Sequence, residues 1–293
     1  MSSLHAAVFV NGTITRADEA VVPVFDHGFL YGEGVYETLR TYKGVPFLFA
    51  PHMARMRHSA ALIALDVPFT NEQMAGHIQK TTEVYVQRFG AVADTYIRIL
   101  LTRGVGALTY SLDACPTPTL VIIVKPFPAP GLETFTRGIR VSLVSIRRNH
   151  PEALNPAIKS NNLLNNALAM QEALRRGAEE ALMLNQSGHI VECSQSNFFI
   201  VTDRRLRTAP LGAGLLPGIT REWVMGLARD MSVAVDETDF TAEDVYAADE
   251  AFITGTTREV TPVVAVDAHT IGPGTPGPIT RRLLEEFRSR TEK

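Results

Sequence analysis

Residues 156–166 of this 293-residue chain read Pro-Ala-Ile-Lys-Ser-Asn-Asn-Leu-Leu-Asn-Asn and contain Lys159. Lysine is scarce, since only five of the 28 Lys and Arg residues are lysines. Lys159 follows an apolar approach and is the one lysine beside four asparagines. A donor-rich, less polar pocket lowers the pKa of a lysine amine, so that the amine can lose its proton and attack a carbonyl carbon. The segment therefore predicts a covalent site at the start of a helix.

The helix that follows Lys159 is predicted over Asn161–Arg176, and Gly177 is expected to stop it. Its apolar residues recur at helical spacing and predict one core-facing stripe. The stripe consists of Leu163, Ala167, Met170 and Leu174. A rigid helix would hold Lys159 firmly in place, as a covalent site requires.

The composition is typical of a soluble globular protein, with 45% hydrophobic and 20% charged residues. A net charge of −3 gives no electrostatic reason to expect nucleic acid or an anionic membrane as a partner. The segment Met1–His5 lacks a basic region followed by an apolar core, so no leader is expected from it, and no apolar run is long enough for a membrane span. Cys115 and Cys193 lack disulfide-scaffold or metal-site spacing. We expect a reduced, cytoplasmic protein without a metal site.

Three prolines and a glycine in Pro126–Gly131 form the clearest boundary in the chain. Proline removes backbone donors and fixes φ, so this stretch cannot be a central strand or the interior of a helix. We predict a small N-terminal α/β domain at 1–125, a linker at 126–131 and a large C-terminal domain at 132–293. Each domain is expected to contain a sheet with packed helices.

Strands and helices are predicted on both sides of this linker. Apolar runs rich in β-branched and aromatic residues predict strands at Ala6–Val10, Val35–Tyr42, Tyr96–Leu101, Leu120–Val124, Ile139–Val144, Ala181–Leu184, Asn197–Val201, Glu250–Ile253 and Pro262–Val266. Helical patterns predict further helices at Ala50–Leu65, Asn71–Phe89, Ile219–Arg229 and Pro278–Phe287. The fold class is therefore α/β, in the broad sense that includes α+β.

Glu192 is a second candidate for a functional residue. It stands as a lone acid between Val191 and Cys193, ahead of small polar residues and an apolar strand. The residues themselves leave two interpretations open. Glu192 is either a solvated turn carboxylate, or it pairs with the ring nitrogen of a pyridine-based cofactor, keeps that nitrogen protonated and so makes the ring an electron sink.

Three segments carry groups that bind anions. In Leu215–Arg221 a Pro-Gly turn is followed by the predicted start of a helix. The NH groups at the N-terminus of a helix form a natural anion site. Thr254–Thr257 adds hydroxyls and backbone NH groups at the end of a strand, and Arg55 would complete a phosphate cradle. Each also has a plain structural interpretation: an ordinary helix start, a strand-to-loop turn and a helix-surface arginine.

Polar side chains alternate along two of the predicted strands. Tyr96 and Arg98 point to the same face, and the planar fork of an arginine matches a carboxylate with two hydrogen bonds. A structural ion pair of Arg98 is the alternative. The stretch Phe29–Arg40 predicts either a pocket wall or merely a twisted strand, and its polar residues on one face are Tyr36, Thr38 and Arg40.

Together and in this order, these segments resemble the class IV aminotransferases, the fold-type IV pyridoxal-phosphate enzymes. That family includes branched-chain aminotransferases, D-amino-acid aminotransferases and aminodeoxychorismate lyase. The likeness extends from Tyr31 to Pro262 and rests on five motifs. They are Tyr-Gly-Glu-Gly-Val-Tyr-Glu from Tyr31, Lys-Ser-Asn-Asn-Leu-Leu-Asn-Asn from Lys159, Glu-Cys-Ser-Gln-Ser-Asn-Phe-Phe from Glu192, Leu-Pro-Gly-Ile-Thr-Arg from Leu216 and Gly-Thr-Thr-Arg-Glu-Val-Thr-Pro from Gly255.

The resemblance implies a two-domain fold with the active site between the domains, and a ping-pong exchange between an amino acid and a 2-oxo acid. Lys159 would bind pyridoxal 5′-phosphate covalently and move the proton between the substrate α-carbon and the cofactor C4′, while Glu192 would pair with the pyridine nitrogen. The cofactor phosphate would be held by Arg55, Ile219 (through its backbone NH), Thr220 and Thr256. The substrate pocket would be lined by Tyr31, Tyr36, Arg40, Tyr96, Arg98 and Thr257.

Family members are typically homodimers whose pocket borrows a loop from the partner, here Gly104–Tyr110. The preferred substrate stays open. Leu164 stands where branched-chain enzymes usually carry a tyrosine and is closer to the D-amino-acid enzymes. Those enzymes, however, usually have an Arg-x-His carboxylate trap after the turn at Gly104, which this chain lacks, and Tyr96-x-Arg98 is the branched-chain pattern. L-amino acids with aliphatic side chains are therefore favoured.

Three alternatives stay open beside this prediction. The first is a D-amino-acid aminotransferase, and the second is aminodeoxychorismate lyase, since the same cofactor chemistry can eliminate pyruvate. The third is a non-catalytic protein that binds a phosphate ligand on this fold. It is disfavoured because a binding protein has no need for Lys159 and Glu192 together, although fold alone does not decide activity.

Overall fold

The computed structural model describes residues 5–291 of the chain. The first four residues, which belong to the segment predicted not to begin a leader, lie outside this range. Backbone contacts divide the chain into two compact units. The first unit reaches Pro128 and includes Ile158–Asn162, and the second consists of Ala129–Ala157 and the residues from Leu163 onward. The linker at 126–131 and the domains at 1–125 and 132–293 remain predictions.

The described part of the first unit is a six-stranded sheet with helices. Its strands are β1 (Ala7–Val10), β2 (Thr13–Arg16), β3 (Gly34–Tyr42), β4 (Val45–Pro46), β5 (Thr95–Thr102) and β6 (Thr119–Pro126). Its helices are α1 (His27–Tyr31), α2 (Phe49–Ala61) and α3 (Asn71–Phe89). The strand order is β2-β1-β6-β5-β3-β4, with every neighbouring pair antiparallel.

The core of the first unit involves this sheet and helices α2 and α3. Successive side chains of a strand point to opposite faces, so alternate residues of β3 and β5 reach the core. These fully buried residues are Val35, Leu39, Ile97, Ile99 and Leu101. The opposite face of β3 is therefore left for Tyr36, Thr38 and Arg40.

The described part of the second unit contains a nine-stranded mixed sheet and helices. Its strands are β7 (Ile139–Leu143), β8 (Glu180–Leu184), β9 (Ile190–Cys193), β10 (Asn197–Thr202), β11 (Arg205–Thr208), β12 (Val235–Glu237), β13 (Glu250–Gly255), β14 (Glu259–Val266) and β15 (His269–Thr270). Its helices are α4 (Leu132–Thr136), α5 (Leu164–Arg175), α6 (Ile219–Asp230), α7 (Ala242–Tyr246) and α8 (Pro278–Thr291).

The strand order of this second sheet is β12-β11-β10-β13-β14-β7-β8-β9, with β15 paired to β14. Strand β9 also pairs with β10 through Glu192 and Asn197, so the strands from β10 to β9 form a closed ring. This closure brings the predicted acid into register with an asparagine on the neighbouring strand. No helix within residues 5–291 is long and apolar enough to cross a membrane.

The mixed α/β fold class is confirmed, and all nine predicted strands are present to within three residues at either end. Helix α3 is confirmed at both ends, because Thr70 and Gln73 form a capping box and Gly90 follows the last turn. The elements that were not predicted have only two to five residues and are too short to show a periodic pattern. They are β2, β4, β9, β11, β12, β15, α1, α4 and α7.

Helix α2 ends at Ala61, four residues earlier than predicted. The guanidinium of Arg103 donates to the backbone oxygens of Ile63 at 2.6 Å and Ala64 at 3.1 Å. Ala64 itself has a positive φ of 49°, which no helix interior allows. A side chain 39 residues away therefore stabilises the end of the helix. Local periodicity does not include this contact, and for this reason the predicted helix is too long.

Helix α5 begins at Leu164 and not at Asn161, so the prediction that Lys159 lies at a helix start is wrong. The backbone NH of Asn161 donates to the oxygen of Gly34 in β3 at 2.9 Å. This pairing keeps the segment extended, and a residue paired to a strand cannot also begin a helix. Lys159 therefore lies in a segment paired with strand β3 and not at the start of helix α5.

The predicted core-facing stripe of α5 is also wrong. Its buried residues are Ala169 and Ala173, whereas Leu174 is 58% exposed. These two alanines join a cluster with Ala181 and Met183 of strand β8. Small side chains allow a helix to approach a sheet closely, so close packing here outweighs the hydrophobicity of the leucines.

We predict that Glu250→Gln lowers the free energy of unfolding by roughly 1–3 kcal/mol. The buried Glu250 carboxylate accepts hydrogen bonds from the NH groups of Ile279 and Thr280 and from the Thr280 hydroxyl at the start of α8. An amide has one acceptor oxygen fewer, so buried donors would lose their partner. Urea unfolding followed by circular dichroism measures the change.

Glu133→Gln is the matched control for this prediction. Its carboxylate pairs with Arg137 on the surface of the same unit, and both side chains are 76% exposed. Such an exposed pair contributes little, so this variant should keep the wild-type unfolding midpoint. Equal midpoints for Glu250→Gln and the wild-type protein would show that the buried cap does not stabilise α8.

Candidate active site

Lys159 lies in a short segment that pairs with strand β3 of the first unit. The backbone NH of Tyr36 donates to the oxygen of Lys159 at 2.9 Å, and Val35 forms an isolated bridge with Ser160. The backbone NH of Lys159 donates to the Ser59 hydroxyl on helix α2 at 3.1 Å. Both backbone polar groups of Lys159 therefore have partners, so the backbone is fixed at the point from which the side chain projects.

The side chains of Lys159, Tyr36 and Arg98 form a group. Lys159 Nζ lies 3.4 Å from Tyr36 Oη and 4.4 Å from the centroid of the tyrosine ring. Arg98 Cζ lies 4.1 Å from the same centroid. Within residues 5–291 no carboxylate pairs with Arg98, so its fork remains available to an anion. Three of the residues predicted from sequence are thus brought together.

Arg40 and Tyr96 lie opposite each other farther along the same two strands. The Arg40 guanidinium stacks on the rings of Tyr42, at 3.9 Å, and Phe127, at 3.8 Å, and approaches Asp94 to 3.7 Å. The Tyr96 ring lies 5.0 Å from Lys125 Nζ. Because four strand residues span roughly 13 Å, these contacts belong to the far end of β3 from Tyr36.

Tyr31 ends helix α1, and its ring lies 5.1 Å from that of Tyr110. The loop Gly104–Tyr110 is anchored by the buried residue His27. Nε2 of His27 lies 2.9 Å from the backbone oxygen of Ala107, and the backbone NH of His27 donates to the backbone oxygen of Gly104. The side chain of Tyr110 is nevertheless 85% exposed. The loop is therefore a fixed feature that presents an aromatic side chain to its surroundings.

Arg55 belongs to a buried cluster that the sequence analysis missed. Its Nε and Nη2 atoms donate to the two carboxylate oxygens of Glu37 at 2.7 and 2.8 Å. His52 Nδ1 lies 2.7 Å from the same carboxylate. The available signal was the position of Glu37 between Val35 and Leu39 on the core face of β3, where an acid needs a cation as partner.

The charges of this cluster follow from its burial. Burial alone would raise the pKa of Glu37, but the charge and hydrogen bonds of Arg55, followed by those of His52, outweigh it and lower the pKa to about 2. Burial also lowers the pKa of His52, and the attraction of Glu37 only partly opposes this. At neutral pH, Glu37 is therefore a carboxylate that orients the fork of Arg55.

Glu192 lies on strand β9 of the second unit, where its side chain is 6% exposed. Its Oε1 accepts from Arg148 Nε at 2.8 Å, and its Oε2 accepts from Asn197 Nδ2 at 3.2 Å and from the backbone NH of Leu216 at 3.1 Å. The interpretation as a solvated turn carboxylate is therefore wrong. The sequence gives no signal for Arg148 and Asn197, because neither stands in a pattern that predicts contact with Glu192, from which they are 44 and 5 residues away.

Helix α6 begins at Ile219, as predicted, and Gly218 before it provides no side-chain cap. Asn197 also donates to the backbone oxygen of Leu216, at 3.1 Å. A Cβ atom on Gly218 would lie only 1.9 Å from Asn197 Oδ1, so no larger residue fits there. The uncapped first turn, with buried Thr220, leaves NH groups that suit a phosphate.

Thr256 and Thr257 lie half-buried in the turn between β13 and β14. Strand β13 ends beside β10, where Thr254 pairs with Asn197. Thr254 Oγ1 is buried and has no hydrogen-bond partner within the described residues. The uncapped helix start and this unsatisfied hydroxyl suit a phosphate, and the buried carboxylate of Glu192 suits a protonated ring nitrogen, so the residues present fit pyridoxal 5′-phosphate.

Comparisons with known proteins agree with this chemistry. The family model for class IV amino-transferases matches residues 34–266. A protein of Methanocaldococcus jannaschii with the provisional name branched-chain-amino-acid aminotransferase is 41% identical over 281 residues, which are 96% of this chain and 95% of that protein. The D-alanine aminotransferase of Bacillus licheniformis is 32% identical over 94% of each chain.

The fold agrees as well. The crystal structure of the Escherichia coli branched-chain amino acid aminotransferase superposes with a TM-score of 0.90 and 31% identity, covering 97% of this chain and 93% of that chain. Enzymes of this family use pyridoxal 5′-phosphate to exchange the amino group of an amino acid with a 2-oxo acid. The chain belongs to the class IV aminotransferases and is a pyridoxal-phosphate-dependent enzyme.

Proposed function

We propose that this enzyme transfers the amino group of L-amino acids with aliphatic side chains, of the branched-chain type, to a 2-oxo acid by a ping-pong mechanism. The observation that carries the proposal is the half-buried Arg98, which contacts the same tyrosine ring as Lys159 and has no carboxylate partner within residues 5–291. A planar guanidinium there suits the carboxylate of an amino acid.

The proposed cofactor residues have separate roles. Pyridoxal 5′-phosphate, when bound, supplies an aldehyde that takes up the amino group and a ring that stabilises negative charge at the substrate α-carbon. Lys159 binds the cofactor and moves the proton at that carbon, and Glu192 holds the ring nitrogen. The phosphate is held by Arg55, Ile219, Thr220 and Thr256.

The proposed substrate residues act by orientation and charge. The hydroxyl of Tyr36 lies within hydrogen-bond distance of Lys159 Nζ and orients the amine for proton transfer at the α-carbon. Arg98 attracts the substrate carboxylate, and Tyr31 and Thr257 are proposed to line the pocket. Arg40 and Tyr96 are proposed to line its far end, about 13 Å along β3 from Tyr36. Because the guanidinium of Arg40 is already stacked and close to Asp94, we assign Arg40 a supporting position and Arg98 the carboxylate.

D-amino-acid transamination is the second candidate. It is favoured by Leu164, which stands where branched-chain enzymes usually carry a tyrosine, and by the relatives named D-alanine aminotransferase. The side chain of Leu164 is 65% exposed in this chain. The absence of an Arg-x-His sequence after Gly104 argues against this candidate.

We further propose that the enzyme works as a homodimer in the cytoplasm. The loop Gly104–Tyr110 supports the dimer, because it is anchored by His27 yet leaves Leu108 and Tyr110 exposed by 66% and 85%. Exposed apolar side chains on a fixed loop suit a contact with a second copy, to whose pocket the loop would contribute. Two free cysteines, Cys115 and Cys193, suit a reducing compartment.

The handedness of the substrate is tested by the first half-reaction. L-Leucine or L-valine should convert the bound cofactor from its pyridoxal to its pyridoxamine form faster than D-alanine does, as measured by visible absorbance in a stopped-flow instrument. The reason is that Arg98 fixes the carboxylate, and with it the face of the α-carbon that Lys159 can reach. A clearly faster reaction with D-alanine or D-glutamate would reject this assignment.

Arg98→Gln provides the matching loss of function. Hydrogen bonds to charged groups contribute roughly 1.5–3 kcal/mol, so the half-saturating concentration of L-leucine should rise about ten- to a hundredfold. Arg88→Gln, an exposed arginine on helix α3 of the same unit, is the control and should leave this concentration unchanged. An unchanged value in Arg98→Gln would place the carboxylate elsewhere.

The cluster of Glu37 and Arg55 predicts a phosphate-specific defect. Glu37→Gln should weaken the binding of pyridoxal 5′-phosphate to the apoenzyme by about tenfold or more, because the fork of Arg55 loses the carboxylate that orients it. Binding of pyridoxal, which lacks the phosphate, should be nearly unaffected. Fluorescence titration of the apoenzyme with both compounds measures the two dissociation constants.

Glu83→Gln is the control for this titration, since Glu83 is an exposed acid on helix α3 of the same unit. It should bind both compounds as the wild-type protein does. If Glu37→Gln weakens pyridoxal as much as pyridoxal 5′-phosphate, the cluster supports the fold of the unit and Arg55 does not hold the phosphate.

A further inference from the structure

The carboxylate of Glu192 is paired with a buried arginine, Arg148, which has no part in the roles proposed so far. Arg148 is 7% exposed and donates from Nε to Glu192 Oε1 at 2.8 Å. Its Nη1 donates to Asn165 Oδ1 at 3.2 Å, and its backbone NH donates to the oxygen of Leu184 at 2.9 Å. Side chain and backbone are both fixed, so this pair differs from a mobile ion pair on a surface.

The burial of Glu192 makes the pairing important. An isolated carboxylate in apolar surroundings takes up a proton, whereas a cation and hydrogen-bond donors keep it ionised. A pyridine nitrogen beside Glu192 would be a second site at which the same proton can bind. A guanidinium on the carboxylate favours the proton on the nitrogen, because positive, negative and positive groups then alternate.

We propose that Arg148 is a positioning residue that keeps Glu192 ionised, so that the proton rests on the ring nitrogen of the bound cofactor. This inference rests on the proposed role of Glu192. Arg148 acts through Glu192 and makes no contact of its own with the ring. Asn197 complements it, because its amide joins Glu192 to the oxygen of Leu216, just before the helix start proposed to hold the phosphate.

The effect expected of Arg148 is a change in proton position. A shift of one pKa unit between the carboxylate and the ring changes the ratio of the two protonation states tenfold. The holoenzyme is reconstituted with pyridoxal 5′-phosphate labelled with ¹⁵N in the ring, and the nitrogen resonance is recorded by NMR. Free cofactor in acid and in alkali provides the reference positions for the protonated and the unprotonated ring.

The wild-type resonance should lie near the protonated reference, and Arg148→Gln should move it towards the unprotonated one. Arg148→Lys keeps the charge but loses the fork, and it should stay near the wild-type position. Asn165→Ala is the matched control, because it removes the partner of Nη1 while the contact of Nε with Glu192 remains. Thermal unfolding of each apoenzyme checks the fold, and Arg148→Met replaces Arg148→Gln if the latter does not fold.

Two results overturn the inference. One is a wild-type resonance in Arg148→Gln or Arg148→Met, and the other is a loss of ring protonation in Arg148→Lys, which would make the charge irrelevant. Glu192→Gln separates this inference from the proposed function. If Glu192→Gln leaves the resonance in place, the role of Glu192 itself fails. If it moves the resonance while Arg148→Gln does not, only the role of Arg148 fails.

Discussion

The backbone hydrogen bonds between residues 158–162 and strand β3 are the constraint on which the account depends. They join Lys159 to a strand more than 120 residues earlier in the chain, at Tyr36. Because both backbone polar groups of Lys159 are satisfied, a reactive amine can project from a fixed point. The same strand carries Tyr36 on one face and Glu37 on the other, so one element positions both Lys159 and Arg55.

Two buried ion pairs then define the charges around the proposed cofactor residues. Glu37 holds the cation of Arg55 in the first unit, and Arg148 holds the anion of Glu192 in the second. In each pair one member is proposed to bind the cofactor, and the other fixes its geometry and its charge. Breaking a buried pair leaves an uncompensated charge, so each positioning residue is as constrained as the residue it serves.

The sequence predicted most of the regular fold and the residues of the proposed site, but not their supports. The predicted strands have apolar runs, and helix α3 has a capping box at its start. Both signals depend on local residues only. Arg148 and the pairing of Lys159 with β3 depend on contacts between distant parts of the chain, which periodicity does not encode. The buried face of α5 was predicted wrongly for the same reason, because the close packing of Ala169 and Ala173 against strand β8 decides which face is buried.

The most direct test of the central claim is the chemical identity of the cofactor-linked residue. Purified holoenzyme is reduced with borohydride, digested, and its labelled peptide sequenced by mass spectrometry. The account predicts a pyridoxyl group on Lys159 as the dominant adduct. A dominant adduct on Lys125, which lies against the Tyr96 ring, or the absence of any adduct in yellow protein would contradict it.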